Sequence, residues 1–165
     1  EVWYIIPTIF VSTFLPKLLR LKDNQKEFAD KFRLMFKWIM ICSFLISLIL
    51  WITANPLIHL LYGTKYLKSG AILAVHAWTV FLIFIATLNN MWLIIYGMQK
   101  EILKRSLIGA VINIALNFTL TPRFGLIGVA FATVISYFIT AFIMDFLNIK
   151  TRELLTHKIL CFKNT

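Results

Sequence analysis

Polar side chains recur inside long apolar segments of this 165-residue sequence, at spacings that place them on single helix faces. In the segment AILAVHAWTVFLIFIATLNNMWLIIY, four polar residues share one face of a helix with about 3.6 residues per turn: His76, Thr79, Thr87 and Asn90. In the next apolar segment, Asn113 and Asn117 lie four residues apart and also share a face. Polar groups inside a membrane are costly unless they are paired or face water. These two faces are therefore predicted to line a shared aqueous cavity.

The same polar groups have a second interpretation, because Asn, Ser and Thr also form hydrogen bonds between membrane helices. We favour this structural role for Ser43 and Ser47, whereas both interpretations stay open for the two faces described above. A further face consists of small residues that recur every four positions: Gly128, Ala132 and Ser136. Small residues allow two helix backbones to approach closely, so this face is predicted to pack against the preceding apolar segment.

Residues that could catalyse a reaction or bind a metal form no recognisable set in the sequence. No cluster of His, Cys, Asp and Glu has metal-ligand spacing, and no Ser/His/Asp or Cys/His combination has a plausible basis for catalysis. Cys42 and Cys161 are expected to be free thiols, and Asp145 is expected to reach the membrane interface or Lys150. The sequence therefore predicts neither an enzyme nor a cofactor.

The elements that position these residues are long apolar runs. The chain is 60% hydrophobic and 15% charged, whereas about a quarter of the residues in a typical soluble domain are charged. A membrane-spanning helix needs about 20 apolar residues, and five segments approach that length: 2–19, 35–54, 71–96, 106–120 and 126–146. The sequence predicts an all-α integral membrane protein with about five transmembrane helices. A tight turn, TPRFG, makes the last two antiparallel neighbours.

Basic residues alternate between the two sides of these predicted spans. Lys and Arg residues lie in the connections or at the ends of the spans beside them, 14 on one side and 3 on the other, and the positive-inside rule places the richer side in the cytoplasm. Glu1 is therefore expected outside and the basic tail, 148–165, in the cytoplasm. Segment 21–36 and the tail are predicted to be amphipathic helices on the membrane surface. The net charge of +10 is explained by topology, so nucleic acid is not an expected partner.

Three motifs give the sequence a family resemblance. NIALNFTLTPRFGLIGVAFATVISY resembles a signature of the polysaccharide-export flippases, an Asn-rich helix that ends in Pro-x-x-Gly and is followed by Gly-x-x-x-Ala-Thr and a Tyr. EVWYIIPTIFVSTFLPKL looks like a second segment of that family. LLYGTKYLKSGAILAVHAW looks like a third, in the form associated with O-antigen export. The ordered matches cover the chain from Glu1 to about Glu153.

The resemblance implies a transporter of the multidrug/oligosaccharidyl-lipid/polysaccharide exporter superfamily, with two six-helix lobes around a cavity that opens alternately to each side. This chain would form most of the second lobe, and its start at Glu1 fits an expectation that it belongs to a longer protein containing the N-terminal lobe. The implied substrate is an undecaprenyl-pyrophosphate-linked oligosaccharide, moved to the outer leaflet of a bacterial inner membrane. Membrane lipids and polysaccharide polymerase machinery are the other implied partners. Amide side chains suit sugar hydroxyls, because they both donate and accept hydrogen bonds.

Two alternatives to a lipid-linked-oligosaccharide flippase stay open at this point. A drug/cation antiporter of the multidrug and toxic-compound extrusion type would call for a carboxylate within the membrane, and Glu1 is the candidate away from the cytoplasmic end. A non-transporting membrane scaffold would bury every polar face in contacts between helices.

Overall fold

The computed structural model describes residues 2–147 and 151–161 of the chain, and this part of the chain is helical without any β-strand. Seven α-helices follow one another: α1 (Val2–Arg20), α2 (Gln25–Tyr62), α3 (Leu67–Ile95), α4 (Gln99–Phe124), α5 (Leu126–Phe138), α6 (Met144–Leu147) and α7 (Arg152–Leu160). A 3₁₀ turn, Thr64–Tyr66, precedes α3, and a π-helical turn, Ile139–Ile143, joins α5 to α6.

Four helices are long and apolar enough to cross a membrane, which confirms the predicted all-α membrane class. They cover Gln25–Tyr62, Lys68–Ile95, Gln99–Phe124 and Leu126–Leu147, the last being the continuous rod of α5, the π turn and α6. Helix α1 follows the first predicted span, for which a membrane crossing stays a prediction. Helix α4 is longer than the predicted 106–120 segment at both ends. It begins with the polar residues that precede this segment, and it includes Pro122 in its last turn.

Helix α2 differs from the prediction at its start. Its N-cap is Asn24, whose Oδ1 accepts a hydrogen bond from the Glu27 backbone N–H at 3.4 Å. Phe28, Phe32 and Phe36 recur every four residues along the first turns and are between 0% and 2% exposed. Segment 21–36 is therefore not a separate helix on the membrane surface. Its apolar face is wide enough to pack in the core, and no helix-breaking residue separates it from the span that follows.

Tight reversals make successive helices antiparallel neighbours. After α3, Gly97 has φ +71° and the Met98 N–H donates to the Leu93 carbonyl at 2.8 Å, which is the bonding pattern of a Schellman cap. Between α4 and α5 the reversal takes place at a single residue, Gly125, with φ +62°. Glycine suits both positions because it lacks the Cβ that makes a left-handed backbone unfavourable.

Helix α3 is the centre of the bundle. It contacts α1, α2, α4 and α5, and among the described residues its contact with α2 is the most extensive between any two helices. Ile85, Leu88, Met91 and Trp92 are at most 2% exposed and form the middle of the main core cluster. The polar residues of α3 are thereby held at fixed positions relative to these four neighbouring helices.

The tail helix α7 packs on the bundle. Leu154 is fully buried in the main core cluster, and Cys161 just beyond the helix is 5% exposed in the same cluster. Its neighbours are α2 and α6. The predicted tail 148–165 thus includes a helix that, over the residues described, is docked on the protein, and its position at a membrane surface stays a prediction.

Candidate functional site

A polar cavity of about 700 Å³ lies between α1, α3, α4 and α5. Its wall combines five residues without a polar side chain and eleven polar ones: Thr8, Thr87, Asn89, Asn90, Arg105, Ser106, Asn113, Thr133, Ser136, Tyr137 and Thr140. Ligand pockets in proteins have volumes of about 300–1,000 Å³ and only a few polar groups. Eleven of the sixteen wall residues carry a polar side chain, although apolar atoms still supply most of the wall's surface. Within helices made largely of Leu, Ile, Val and Phe, so many polar side chains distinguish this wall from the packed core around it.

Three of the six residues predicted to line a cavity lie in this wall. Thr87 and Asn90 face it from α3, and Asn113 faces it from α4. The Thr87 hydroxyl donates to the Ile83 carbonyl of its own helix at 2.8 Å. Asn113 Oδ1 accepts a hydrogen bond from Asn117 Nδ2 at 3.0 Å, which fixes the orientation of the Asn113 amide.

The other three predicted residues lie away from this wall. His76 is exposed, and its Nδ1 lies 3.1 Å from the hydroxyl oxygen of Thr79, which is 5% exposed. Asn117 lies one turn beyond Asn113 and supports it through the hydrogen bond just described. The shared helix face was derived from periodicity, and periodicity does not show how far along a helix a cavity extends.

The small-residue face of α5 lies against α4. Gly128, Ala132 and Ser136 are all buried. A Cβ built on Gly128 would lie 2.5 Å from the Leu120 carbonyl oxygen, so the two backbones are in direct contact there. Ser136 donates to the Ala132 carbonyl at 2.7 Å and also lines the cavity.

A buried charge cluster lies at the end of the cavity where Arg105 contributes to the wall. Asp145 of α6 is fully buried, and Arg105 of α4 binds it with Nη2 2.6 Å from Asp145 Oδ1. Lys158 of α7 binds the other carboxylate oxygen, Oδ2. Arg105 Nη2 also donates to Thr151 Oγ1 at 3.1 Å. We refer to Arg105, Asp145 and Lys158 as the charge triad.

The π-helical turn supplies an acceptor beside the charge triad. The Ala141 carbonyl accepts hydrogen bonds from Lys158 Nζ at 2.5 Å and from Asn89 Nδ2 at 2.9 Å. Asn89 Nδ2 also lies 3.4 Å from Asp145 Oδ2. Burial is the main reason that the pKa of Lys158 is lowered to about 8. The attraction of Asp145 raises this pKa, and the repulsion of Arg105 lowers it. The triad and Asn89 together therefore link α3, α4, the α5–α6 rod and the tail helix.

The charge triad was not predicted from the sequence, and two expectations about Asp145 are affected. The prediction that Asp145 reaches the interface is wrong, because its side chain is fully buried. The other expected partner, Lys150, lies outside the described residues. The sequence pattern assigns Arg105 and Lys158 to the basic connections and the tail, and it places Asn90, not Asn89, on the polar face of α3. A carboxylate at the end of an apolar span was the available signal, since such a group requires a cation.

Among the residues that the structure describes, no group of three or more His, Cys, Asp and Glu side chains could hold a metal ion. The chemistry available at the site is hydrogen bonding from amides and hydroxyls, with one guanidinium in the wall. Three of the four helices able to cross a membrane, α3, α4 and the α5–α6 rod, line that volume together with α1. This combination defines the class: a multi-pass helical membrane protein with a polar cavity.

Comparison with known proteins places the chain within that class. The chain belongs to the lipid II flippase MurJ family, whose profile matches residues 4–163. It is 31% identical over 133 residues to the capsular polysaccharide biosynthesis protein CapF of Staphylococcus aureus. That match covers 78% of this chain and 33% of CapF, so the chain spans about a third of its relative's length. No solved structure matches. Flippases are transporters, which agrees at a coarse level with the prediction that the chain is not an enzyme.

Proposed function

We propose that this chain is part of a flippase that moves a lipid-linked oligosaccharide, a precursor of surface polysaccharide, across a bacterial inner membrane. The observation that carries the proposal is the polar cavity of about 700 Å³ within an apolar helical bundle. The family match and the CapF relative support a lipid-linked polysaccharide precursor as the substrate class. Hydroxyl and amide groups in the wall suit a sugar, because each can donate and accept hydrogen bonds.

The family resemblance of the sequence supports a more specific substrate, direction of transport and place in the full-length protein. The substrate is an undecaprenyl-pyrophosphate-linked repeat unit of the O-antigen type, and the direction is from the cytoplasmic to the outer leaflet. The chain forms most of the C-terminal lobe of a two-lobed protein, with Glu1 outside and α7 on the cytoplasmic side. Transport then requires the N-terminal lobe, since alternating access needs two bodies that move around the shared cavity.

The geometry gives less support to a drug/cation antiporter. Such a transporter binds its cation at a carboxylate within the membrane, and Asp145 is the fully buried carboxylate among the described side chains. Both of its oxygens already bind cationic side chains, Arg105 and Lys158. A cationic drug would have to displace one of these side chains. Glu1, the carboxylate considered from the sequence, lies outside the described residues.

The experiment is deletion of the full-length gene in its own host, followed by rescue with variants. Deletion is expected to remove surface polysaccharide and to accumulate its lipid-linked precursor on the cytoplasmic side. Asn113→Leu keeps the side-chain size but removes both hydrogen-bonding groups from the cavity wall. Losing one hydrogen bond of about 1 kcal/mol lowers the flux about fivefold, measured as precursor remaining and polysaccharide exported.

The matched control is Thr119→Val on the same helix. Thr119 is exposed, donates to the Ala115 carbonyl of its own helix at 3.2 Å and lies outside the cavity wall. Both variants must reach the membrane in amounts equal to the wild type. Full rescue by Asn113→Leu would show that the polar wall is only helix packing, as the scaffold alternative requires. Unchanged polysaccharide after deletion would refute the flippase proposal itself.

A further inference from the structure

The π-helical turn in the α5–α6 rod is held by two side chains that come from other helices. Within the turn, the Met144 backbone N–H donates to the Ile139 carbonyl, five residues back. The Ala141 carbonyl accepts hydrogen bonds from Asn89 Nδ2 of α3 at 2.9 Å and from Lys158 Nζ of α7 at 2.5 Å. Ala141 is fully buried, and a buried carbonyl that loses its donors is costly. The turn therefore depends on contacts from outside its own helix.

The same turn contributes to the wall of the polar cavity. Thr140 lies within the turn, directly before Ala141, and lines the cavity. Its methyl group points toward α4, because a Cβ built on Gly109 would lie 2.8 Å from it. Thr133 lines the same cavity from the regular part of α5. A change in the geometry of the turn would therefore move one of these two wall residues and leave the other in place.

Loss of the side-chain donors would favour a more regular helix. π turns are rare and occur mostly as single turns inserted in α-helices, and a side chain that inserts into the backbone hydrogen-bond ladder is one cause of irregular helix geometry. Helix α5 is fixed against α4 at Gly128, where a Cβ would lie 2.5 Å from the Leu120 carbonyl oxygen. A readjustment is therefore confined to the π turn and the residues that follow it.

The residue that follows the turn is bound by the same two donors. Lys158 binds Asp145 Oδ2 in addition to the Ala141 carbonyl. Asn89 Nδ2 lies 3.4 Å from the same carboxylate oxygen. Two donors from separate helices thus share two acceptors, one within the π turn and one in α6. Release of α7 would therefore affect the π turn and α6 together.

We propose that docking of the tail helix α7 sets the cavity wall through this π turn. Lys158, together with Asn89, holds the Ala141 carbonyl in the π geometry, and this geometry directs Thr140 toward the cavity. When α7 is released, Lys158 leaves, the turn becomes more α-helical and Thr140 turns away from the cavity. Lys158 and Asn89 are thus positioning residues for Thr140, and the tail helix regulates which side chains the cavity presents.

The coupling joins two sites within this chain. By reciprocity, whatever keeps Thr140 in the cavity wall must also favour the docked α7. The inference goes beyond the proposed function, because it does not depend on what the cavity binds. Failure of the flippase experiment above would leave it standing, and its own failure would leave the flippase proposal standing.

Two thiols can report the two ends of this coupling in one measurement. Cys161 reports docking, because its Sγ donates to the Lys158 carbonyl at 2.9 Å and its side chain is 5% exposed. Thr140→Cys reports the cavity wall, and Thr133→Cys on the same rod is the matched control. Each full-length protein, with the exposed Cys42 and every other native cysteine except Cys161 replaced by serine, is placed in phosphatidylcholine nanodiscs. The rate at which a small charged methanethiosulfonate modifies each thiol is measured by peptide mass spectrometry.

Lys158→Met removes the donor and keeps most of the side-chain length. It is expected to speed modification of Cys161 and to slow modification of the Thr140→Cys reporter, each by at least about fivefold, the low end of typical coupling between two sites. The Thr133→Cys control should be unchanged. Lys158→Arg, which keeps a charged donor, should bring both rates back toward the wild type. Thr156→Val, at an exposed position of the same helix, should change neither rate.

Asn89→Ala keeps the test decisive if Lys158→Met does not fold. This variant removes the donor from α3 and leaves α7 docked, so the Thr140→Cys reporter should slow while Cys161 stays protected. The proposal is overturned if Lys158→Met exposes Cys161 without slowing the Thr140→Cys reporter, or if it alters neither thiol. Equal slowing of the Thr133→Cys control, or an unchanged Thr140→Cys reporter in Asn89→Ala, would overturn it as well.

Discussion

Replacing Gly128 by alanine should force α4 and α5 apart. A Cβ at this position would lie 2.5 Å from the Leu120 carbonyl oxygen, whereas ordinary van der Waals contact begins at 3.4 Å. The difference, 3.4 minus 2.5, requires the two backbones to separate by 0.9 Å. Neither backbone can move alone, because the single residue Gly125 joins the two helices.

The expected cost follows from two opposing effects. Overpacking of this kind costs about 1–3 kcal/mol, and here the obstacle is backbone instead of a movable side chain. Alanine gains at most about 1 kcal/mol over glycine from helix propensity, and less near a helix start. We therefore expect Gly128→Ala to lower the free energy of unfolding by about 1–2 kcal/mol.

Gly109→Ala is the matched control for this prediction. A Cβ on Gly109 would lie 2.8 Å from a side-chain methyl of Thr140 beside the cavity, so a side chain and not a backbone has to shift. Here the propensity gain should dominate, so this variant should be as stable as the wild type or more stable. The assay is thermal unfolding of the purified full-length protein in one detergent. Equal midpoints for the two variants would refute the argument that backbone contact at Gly128 limits the helix spacing.

Two further predictions concern the charge triad. Asp145→Asn leaves two buried cations without a carboxylate and should lower the free energy of unfolding by about 3–5 kcal/mol, measured by thermal unfolding. Lys158→Met leaves the neutral Arg105–Asp145 pair and should lower it by less. A larger loss for Lys158→Met than for Asp145→Asn would contradict the pairing. Because burial lowers the pKa of docked Lys158 to about 8 from 10.5, the released helix binds more protons between these values, and docking should strengthen as the pH rises through that window. A spin label at Ile159→Cys should become less mobile over this pH range, and rising mobility would show the opposite sign.

The membrane-spanning class could be predicted because it depends only on the length and composition of apolar runs. Helix ends were harder to place. EILKR before the fourth predicted span is polar, and polarity alone does not distinguish a loop from the first turns of a helix such as α4. Segment 21–36 showed the correct apolar face at Phe28, Phe32 and Phe36, but its position in the core depends on contact with Tyr96, whose ring lies 5.9 Å from that of Phe28. Long-range contacts of this kind are absent from local periodicity.

The candidate site could be predicted as a type of surface and only partly as a set of residues. Periodicity identifies the faces that carry Asn90 and Asn113, and these stay predictions for substrate contact. The charge triad joins residues 40 and 13 positions apart along the chain, at Arg105, Asp145 and Lys158. No spacing rule connects them, because the hairpin of α4 and α5 and the return of α7 bring them together.

The π-helical turn at Ile139–Ile143 has a consequence for how the protein tolerates change in its gene. A π turn accommodates one residue more than an α-helix would, and each residue rotates the following helix by about 100°. A one-codon deletion within 139–143 would leave the hydropathy of the rod nearly unchanged. It would nevertheless turn Asp145 away from both of its cations and remove the irregular turn around the Ala141 carbonyl. In this segment the number of residues is therefore under stronger constraint than their identity.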